Sequence, residues 1–167
     1  AISTTKMASG LYEQLMLYRD QTNQVMFNCL DSHDTARLLH ISGENKDIAK
    51  MALAFTFLQH GSPCIYYGTE IGMTGDNDPD CRRCMIWEQD KQDQNFLSFT
   101  KQLIALRKEN QAILSYGDLE FNELNNEDKF VSFSRTTALG EVHGFFNKGT
   151  SDKVISSDLE ILLCQNV

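Results

Sequence analysis

Val25-Met26-Phe27-Asn28-Cys29-Leu30-Asp31-Ser32-His33-Asp34 is the stretch that decides how this chain of 167 residues is read. Apolar residues dominate as far as Leu30, and then the chain turns polar. A buried parallel strand has this pattern, because both of its faces are covered and strict alternation disappears. Downstream, Ile48, Met51, Ala52, Phe55 and Leu58 share one broad face. That spacing predicts a helix over 48–60, with Asp47 as its cap and Gly61 closing it. Pro63-Cys64-Ile65-Tyr66-Tyr67-Gly68 is a second short apolar run and predicts a second strand. Strand, helix and strand in this order predict a parallel pair joined by a crossover helix.

The pattern extends outward from this unit. Met7, Leu11, Leu15 and Tyr18 recur at helical spacing, which predicts an amphipathic helix over 4–20. Between Gly68 and Asp93 the composition shifts to Gly, Asp, Asn, Pro and Arg, a long polar loop at the C-terminal end of a strand. Phe96, Phe99, Leu103 and Leu106 then predict a helix over 93–108. After Asn110 the period changes. Short β-rich runs at 118–124, 130–135, 141–147 and 159–164 are separated by turn-like stretches such as Asn125-Asn126-Glu127-Asp128 and Lys148-Gly149-Thr150. The expected fold class is therefore α/β plus all-β: an α/β part over 1–112 and a small antiparallel β domain over 113–167.

Composition narrows the function classes. The apolar fraction of 41% is that of a globular chain. No apolar run approaches the roughly 20 residues that span a bilayer, and 1–6 do not form a secretory signal, so no membrane partner is expected. The net charge of −8 repels nucleic acid on balance. Five cysteines, odd in number and irregularly spaced, fit reduced thiols in a cytoplasmic protein better than a disulfide framework. Cys81 and Cys84 form the one short-range pair. A zinc site would need two more ligands, and no second pair follows, so two ordinary thiols are expected there.

Three stretches together resemble the α-amylase family of glycoside hydrolases, within it the cyclomaltodextrinase, neopullulanase and maltogenic amylase group. Residues 25–37, with His33-Asp34, are similar to the family's segment at the end of barrel strand seven. Residues 61–73, with Tyr66-Tyr67-Gly68-Thr69-Glu70, are similar to its strand eight. Gly75-Asp76-Asn77-Asp78-Pro79-Asp80-Cys81-Arg82-Arg83 resembles the loop after strand eight in that group. The resemblance implies the last strands and helices of a (β/α)₈ TIM barrel, about strands seven and eight, followed by a small antiparallel β-sandwich. It also implies action on α-glucans or cyclomaltodextrins. The site of such a barrel lies at the C-terminal ends of its strands.

Retaining glycosidases need a carboxylate nucleophile and a carboxylic acid about 5 Å apart. No segment here resembles the family's nucleophile motif (Arg-x-Asp) or its Glu motif, and both are expected upstream of Ala1. By the resemblance, Asp34 is the third carboxylate of the set. It would hold hydroxyls of the sugar next to the scissile bond and stabilise the transition state. His33 would donate to the same sugar. The bland alternative is a polar strand-end cap. Asp78 and Arg82 match positions that grip a more distant glucose, against the alternative of a solvated loop ion pair.

Asp76, Asp78 and Asp80 outline part of an acidic calcium loop, but Pro79 and the missing Gly at its sixth position break that pattern. No cofactor is expected, with calcium the minor alternative. Tyr66 and Tyr67 are expected on opposite faces of their strand, as core packing. Trp87 could stack on sugar or pack. Arg37 and Thr35 read as helix-starting residues.

The expected product is the C-terminal portion of a glycoside hydrolase, inert on its own and self-associating through its unclosed barrel edges. The alternative is a non-catalytic carbohydrate-binding or structural β module with a barrel remnant.

Overall fold

In the computed structural model, residues 2–155 and 160–163 are described. Helix α1 covers Thr4–Met16, α2 Asp20–Asn23, α3 Leu38–Ile41, α4 Lys46–Phe57, α5 Gln94–Glu109 and α6 Gln111–Tyr116. The strands are β1 Phe27–Asn28, β2 Ser62–Pro63, β3 Asp118–Asn125, β4 Phe130–Thr137 and β5 Gly140–Asn147. Two units result, one of 1–26, 58–62 and 110–164, the other centred on 27–57 and 63–109.

The second unit contains residues 27–34 of the stretch with which the reading began. The amides of Ser62 and Cys64 donate to the carbonyls of Met26 and Asn28 at 2.7 and 2.8 Å. The partner positions advance together, so β1 and β2 run parallel, and α4 is the crossover between them. Both strands are shorter than the runs at 25–30 and 63–68 predicted. Each has only the other to pair with among the described residues, and beyond Cys64 the chain is drawn to other partners described below.

Helix α4 starts at Lys46, and its cap is Asn45, not Asp47. The Asn45 side-chain oxygen accepts the amides of Asp47 and Ile48, both at 3.0 Å. The helix ends at Phe57, short of the predicted His60. Gly61 follows with φ of 81°, the left-handed conformation that glycine adopts at low cost. Asp93 caps α5 by accepting the Phe96 amide at 2.9 Å, and it binds the Lys46 ammonium at 2.7 Å. Apolar side chains of α4 (Ala49, Leu53, Phe57) and α5 (Phe96, Phe99, Leu103) are buried in this unit. Lys50, also buried, donates to Asn95 and lies over the Phe96 and Phe99 rings, which receive its charge on their faces.

The first unit is built on the antiparallel sheet β3-β4-β5. Phe121 lies opposite Phe133, and Phe133 opposite Gly144, with a register irregularity between Phe121 and Glu123. Phe133 is fully buried between Phe121 and Phe146, at 5.8 and 5.6 Å between ring centres. Gly144 is needed there: a Cβ would sit 2.9 Å from the Phe133 ring and 3.0 Å from Leu58. Arg135, fully buried, donates to the carbonyls of Leu58 and Gly117, each at 2.7 Å.

Helix α1 packs on β3, with the Tyr12 ring edge-on to Phe121 at 5.5 Å. It ends at Met16, not at residue 20. The Asn23 side chain donates to the Leu15 carbonyl at 2.7 Å, so it substitutes for the next helical amide. Of the fourth predicted run, Leu159 and Cys164 lie outside the described residues, and residues 160–163 form no strand.

Candidate functional site

The site grows from Asp31, the first polar residue after β1. Asp31 is buried, and one of its oxygens accepts the Leu38 amide at 2.9 Å and the Thr69 hydroxyl at 2.7 Å. These bonds fix where the segment leaves the strand. A tight turn follows. The Ser32 amide donates to the Thr35 hydroxyl at 3.0 Å, and the Asp34 amide to the Ser32 hydroxyl at 3.1 Å. Such side-chain-to-backbone bonds are what Ser, Thr and Asp favour in turns. The turn presents His33 and Asp34 outward, with their side chains 63% and 69% exposed and 3.2 Å apart.

Arg82 brings the four predicted residues together. Its Nε donates to the His33 carbonyl at 2.9 Å and lies 2.8 Å from an Asp78 oxygen. Its Nη2 lies 3.5 Å from Asp34. The buried Cys81 thiol donates to the same His33 carbonyl at 3.3 Å. One guanidinium thus links two carboxylates that lie 44 positions apart in sequence. All four side chains are accessible, so the links are weak and can exchange for a ligand's hydroxyls.

Arg37 ties the segments into one frame. It precedes α3 and is completely buried. Its backbone amide donates to the Gly75 carbonyl at 2.9 Å, its Nε to the Cys81 carbonyl at 2.8 Å, and its Nη1 to the Tyr67 carbonyl. The Tyr66 and Tyr67 rings both lie against the guanidinium, 4.4 and 4.5 Å from their centres. This corrects the expectation that the two tyrosines face opposite ways. They lie beyond the end of β2, where strand alternation no longer holds, and the buried cation attracts both ring faces. Burial raises the Tyr66 phenol above its usual range, and the hydrogen bond and nearby phenol of Tyr67 add to this. The Tyr67 hydroxyl donates to the Arg83 carbonyl at 2.8 Å, a further tie to the loop.

That loop is internally paired. Asp80 accepts the Asp76 amide at 2.8 Å and the Arg83 Nε at 2.7 Å. These two bonds, the amide first, hold its carboxyl below the usual range. A Cβ on Gly75 would sit 2.6 Å from the Asp80 carbonyl oxygen, so the turn needs glycine there. Among the described residues, no three His, Cys, Asp or Glu side chains converge as metal ligands. Trp87 is 78% exposed, and Cys84 is exposed as well.

Sequence reasoning missed Asp31, Thr69 and Cys81 as parts of the frame, and it gave Arg37 only a helix-starting role. The signal was present in part, since Asp31 and Arg37 bracket the quoted motif. Contacts 30 to 44 positions away are not visible in spacing.

The arrangement offers alternating donors and acceptors on an open surface, the chemistry that sugar hydroxyls meet. The family profile described as alpha amylase, catalytic domain, matches residues 2–117. The chain belongs to the alpha-amylase family. It is 52% identical over 148 residues to the intracellular maltogenic amylase of Bacillus subtilis (strain 168), covering 89% of this chain and 25% of that protein. It is 43% identical over 135 residues to neopullulanase 2 of Thermoactinomyces vulgaris, covering 81% of this chain and 23% of that protein. A solved cyclomaltodextrinase superposes with a TM-score of 0.75 at 38% identity, over 80% of this chain and 23% of that one. The chain therefore spans about a quarter of the length of the curated relatives it matches. Within the family it falls in the group of maltogenic amylases, cyclomaltodextrinases and neopullulanases.

Proposed function

We propose that this chain is the strand-seven and strand-eight part of a retaining glycoside hydrolase acting on α-glucans or cyclomaltodextrins. In that reading residues 1–112 complete a (β/α)₈ barrel and 113–167 form a β-sandwich domain. Asp34 stabilises the transition state, His33 holds the same sugar, and Asp78 with Arg82 grips a neighbouring glucose. The carrying observation is the Arg82 guanidinium set between Asp34, Asp78 and the His33 carbonyl. That cluster stands at the C-terminal end of a parallel strand, where barrel enzymes place their chemistry.

An ionised carboxylate beside an oxocarbenium-like ring lowers the barrier more than it tightens ground-state binding. The nucleophile and the general acid come from residues outside this chain, so the chain alone is inert. The names of the relatives support the substrate class. The word intracellular in one of them, together with the exposed free thiols, supports a cytoplasmic location.

Asp34→Ala in a polypeptide carrying the complete barrel tests this. The expectation is a loss of kcat of roughly 100-fold or more with little change in KM. A change confined to KM would refute the assignment, as would maltose release by residues 1–167 alone. We further propose that the isolated chain self-associates through its short β1-β2 edges and the exposed Val25 and Phe27 nearby. Light scattering showing a single monomeric species would contradict that.

A further inference from the structure

We propose that His40 is a positioning residue, a pH-dependent clamp that holds the loop 74–83 in the arrangement carrying Asp78 and Arg82. His40 lies in α3, and its ring stands between two carboxylates. Nδ1 is 3.5 Å from a Glu44 oxygen, and Nε2 is 3.5 Å from an Asp76 oxygen. Glu44 follows the helix, whereas Asp76 belongs to the loop. A second link runs beside the first, since the Thr74 hydroxyl donates to the same Glu44 oxygen that faces His40. The four residues form a closed ring of contacts between the end of α3 and the start of the loop.

Asp76 passes this hold into the loop. The oxygen that faces His40 also accepts the Asn77 amide at 2.7 Å and the Asn77 side-chain amide at 2.9 Å. The Asp76 amide donates to Asp80, which binds Arg83. Asp78 and Arg82 are strung between these anchors. Backbone strain marks Glu44 as more than a solvated charge. Its φ is 61°, a left-handed conformation that glycine adopts freely and a residue with a Cβ only at a cost. The contacts with Thr74 and His40 offset that cost.

The ring serves both carboxylates only as imidazolium, which carries a proton on each nitrogen. The neutral ring keeps one proton and turns a lone pair toward the other carboxylate. Histidine is the side chain that changes charge between about pH 5 and 8, where Asp and Glu are ordinarily ionised. The clamp is therefore closed on the acid side of that window and opens as the pH rises through it. Of the elements packed on α3, the loop also brings Asp80 and Arg83, bound to each other, and α4 brings Asp47 and Lys46, the latter bound to Asp93. The clamp residues all belong to one unit and meet one another directly, so the device does not depend on a surface that a further strand would cover. Its effect on substrate rests on the reading of Asp78 and Arg82 given above; its effect on the loop does not.

The test compares the 167-residue chain with its His40→Gln variant by hydrogen exchange of the Asp76, Asp80 and Arg82 amides, all bonded within the loop. The variant-to-parent ratio at each pH cancels the intrinsic pH dependence of exchange. That ratio should be roughly threefold at about pH 5.5, the size that two exposed ion pairs support, and near unity at about pH 8.5. Glu44→Gly, at a φ that suits glycine, should keep its urea midpoint and show the same loss of protection on the acid side. A ratio of unity at both pH values, or an equal increase at both, would overturn the proposal. In a polypeptide carrying the complete barrel, His40→Gln should raise KM for a cyclomaltodextrin by a similar factor at the lower pH and leave kcat unchanged. Acid-side loop protection without that KM effect would support the clamp and count against the grip of Asp78 and Arg82 on glucose.

Discussion

Replacing Arg37 by Met should release the frame on which the candidate site is built. The substitution removes two donors and leaves the carbonyls of Cys81 and Tyr67 without that partner. An unsatisfied buried acceptor costs about 1–3 kcal/mol. Two ring faces also lose their cation, at about 1 kcal/mol each. Against this, burying a guanidinium is itself costly, and Met removes that cost. The balance is a destabilisation of about 3 kcal/mol, felt first in the loop that the Arg37 side chain holds through the Cys81 carbonyl.

Urea unfolding gives the global number, since a lower midpoint at constant slope is a change in stability. The local number comes from Cys81, which is fully buried in the native protein. In Arg37→Met its thiol should react with an alkylating reagent at a rate approaching those of Cys29, Cys64 and Cys84. Arg37→Lys keeps the charge but loses the planar fork, and it should fall between the two. A variant within 0.5 kcal/mol of the parent, with Cys81 still protected, would refute the argument.

The Asp93 cap gives a pH-dependent test. Partial burial alone would raise its carboxyl, but the hydrogen bond to Lys46 and the amides of Phe96 and Asn95 outweigh this and lower it. A folded value below the unfolded one means that the stabilisation is complete above about pH 4 and fades as the pH falls through the lowered value. Asp93→Ala should cost about 1 kcal/mol at neutral pH and flatten the acid limb of the stability profile, measured by urea midpoints from pH 2 to 7. An unchanged acid limb would count against the cap. In the sheet, Gly144→Ala places a methyl against Phe133, Phe146 and Leu58, so it should destabilise by about 1–3 kcal/mol. Calorimetry showing an unchanged or higher Tm would disprove that close packing.

Much of this protein was legible before any fold was known. The period of Ile48, Met51, Ala52 and Phe55 made α4 visible, because a helix buries residues three and four apart whatever it packs against. The three β runs between 118 and 147 were visible for the equivalent reason at period two. His33 and Asp34 stood out as polar residues ending an apolar run. Element ends were another matter. Asp47 was read as the cap of α4, yet Asn45 fills that position, since either side chain suits it and only the backbone path chooses between them. Helix α1 stopped early because Asn23 reaches back to Leu15, a bond that no local pattern encodes.

What the sequence determined by itself was the three longer helices, the three strands of the antiparallel sheet and the parallel strand-helix-strand unit, because local burial periodicity carries that information. What only the tertiary structure decided was which distant residues meet. Arg37 could be named as a helix-starting residue, yet its partners Tyr67 and Cys81 lie 30 and 44 positions on. Arg82 could be named together with Asp78 through the family resemblance, but its approach to Asp34 needed the loop folded back over the strand end. A buried charge takes whichever carbonyls and rings the packed chain brings within reach, and that choice is made only when the segments come together.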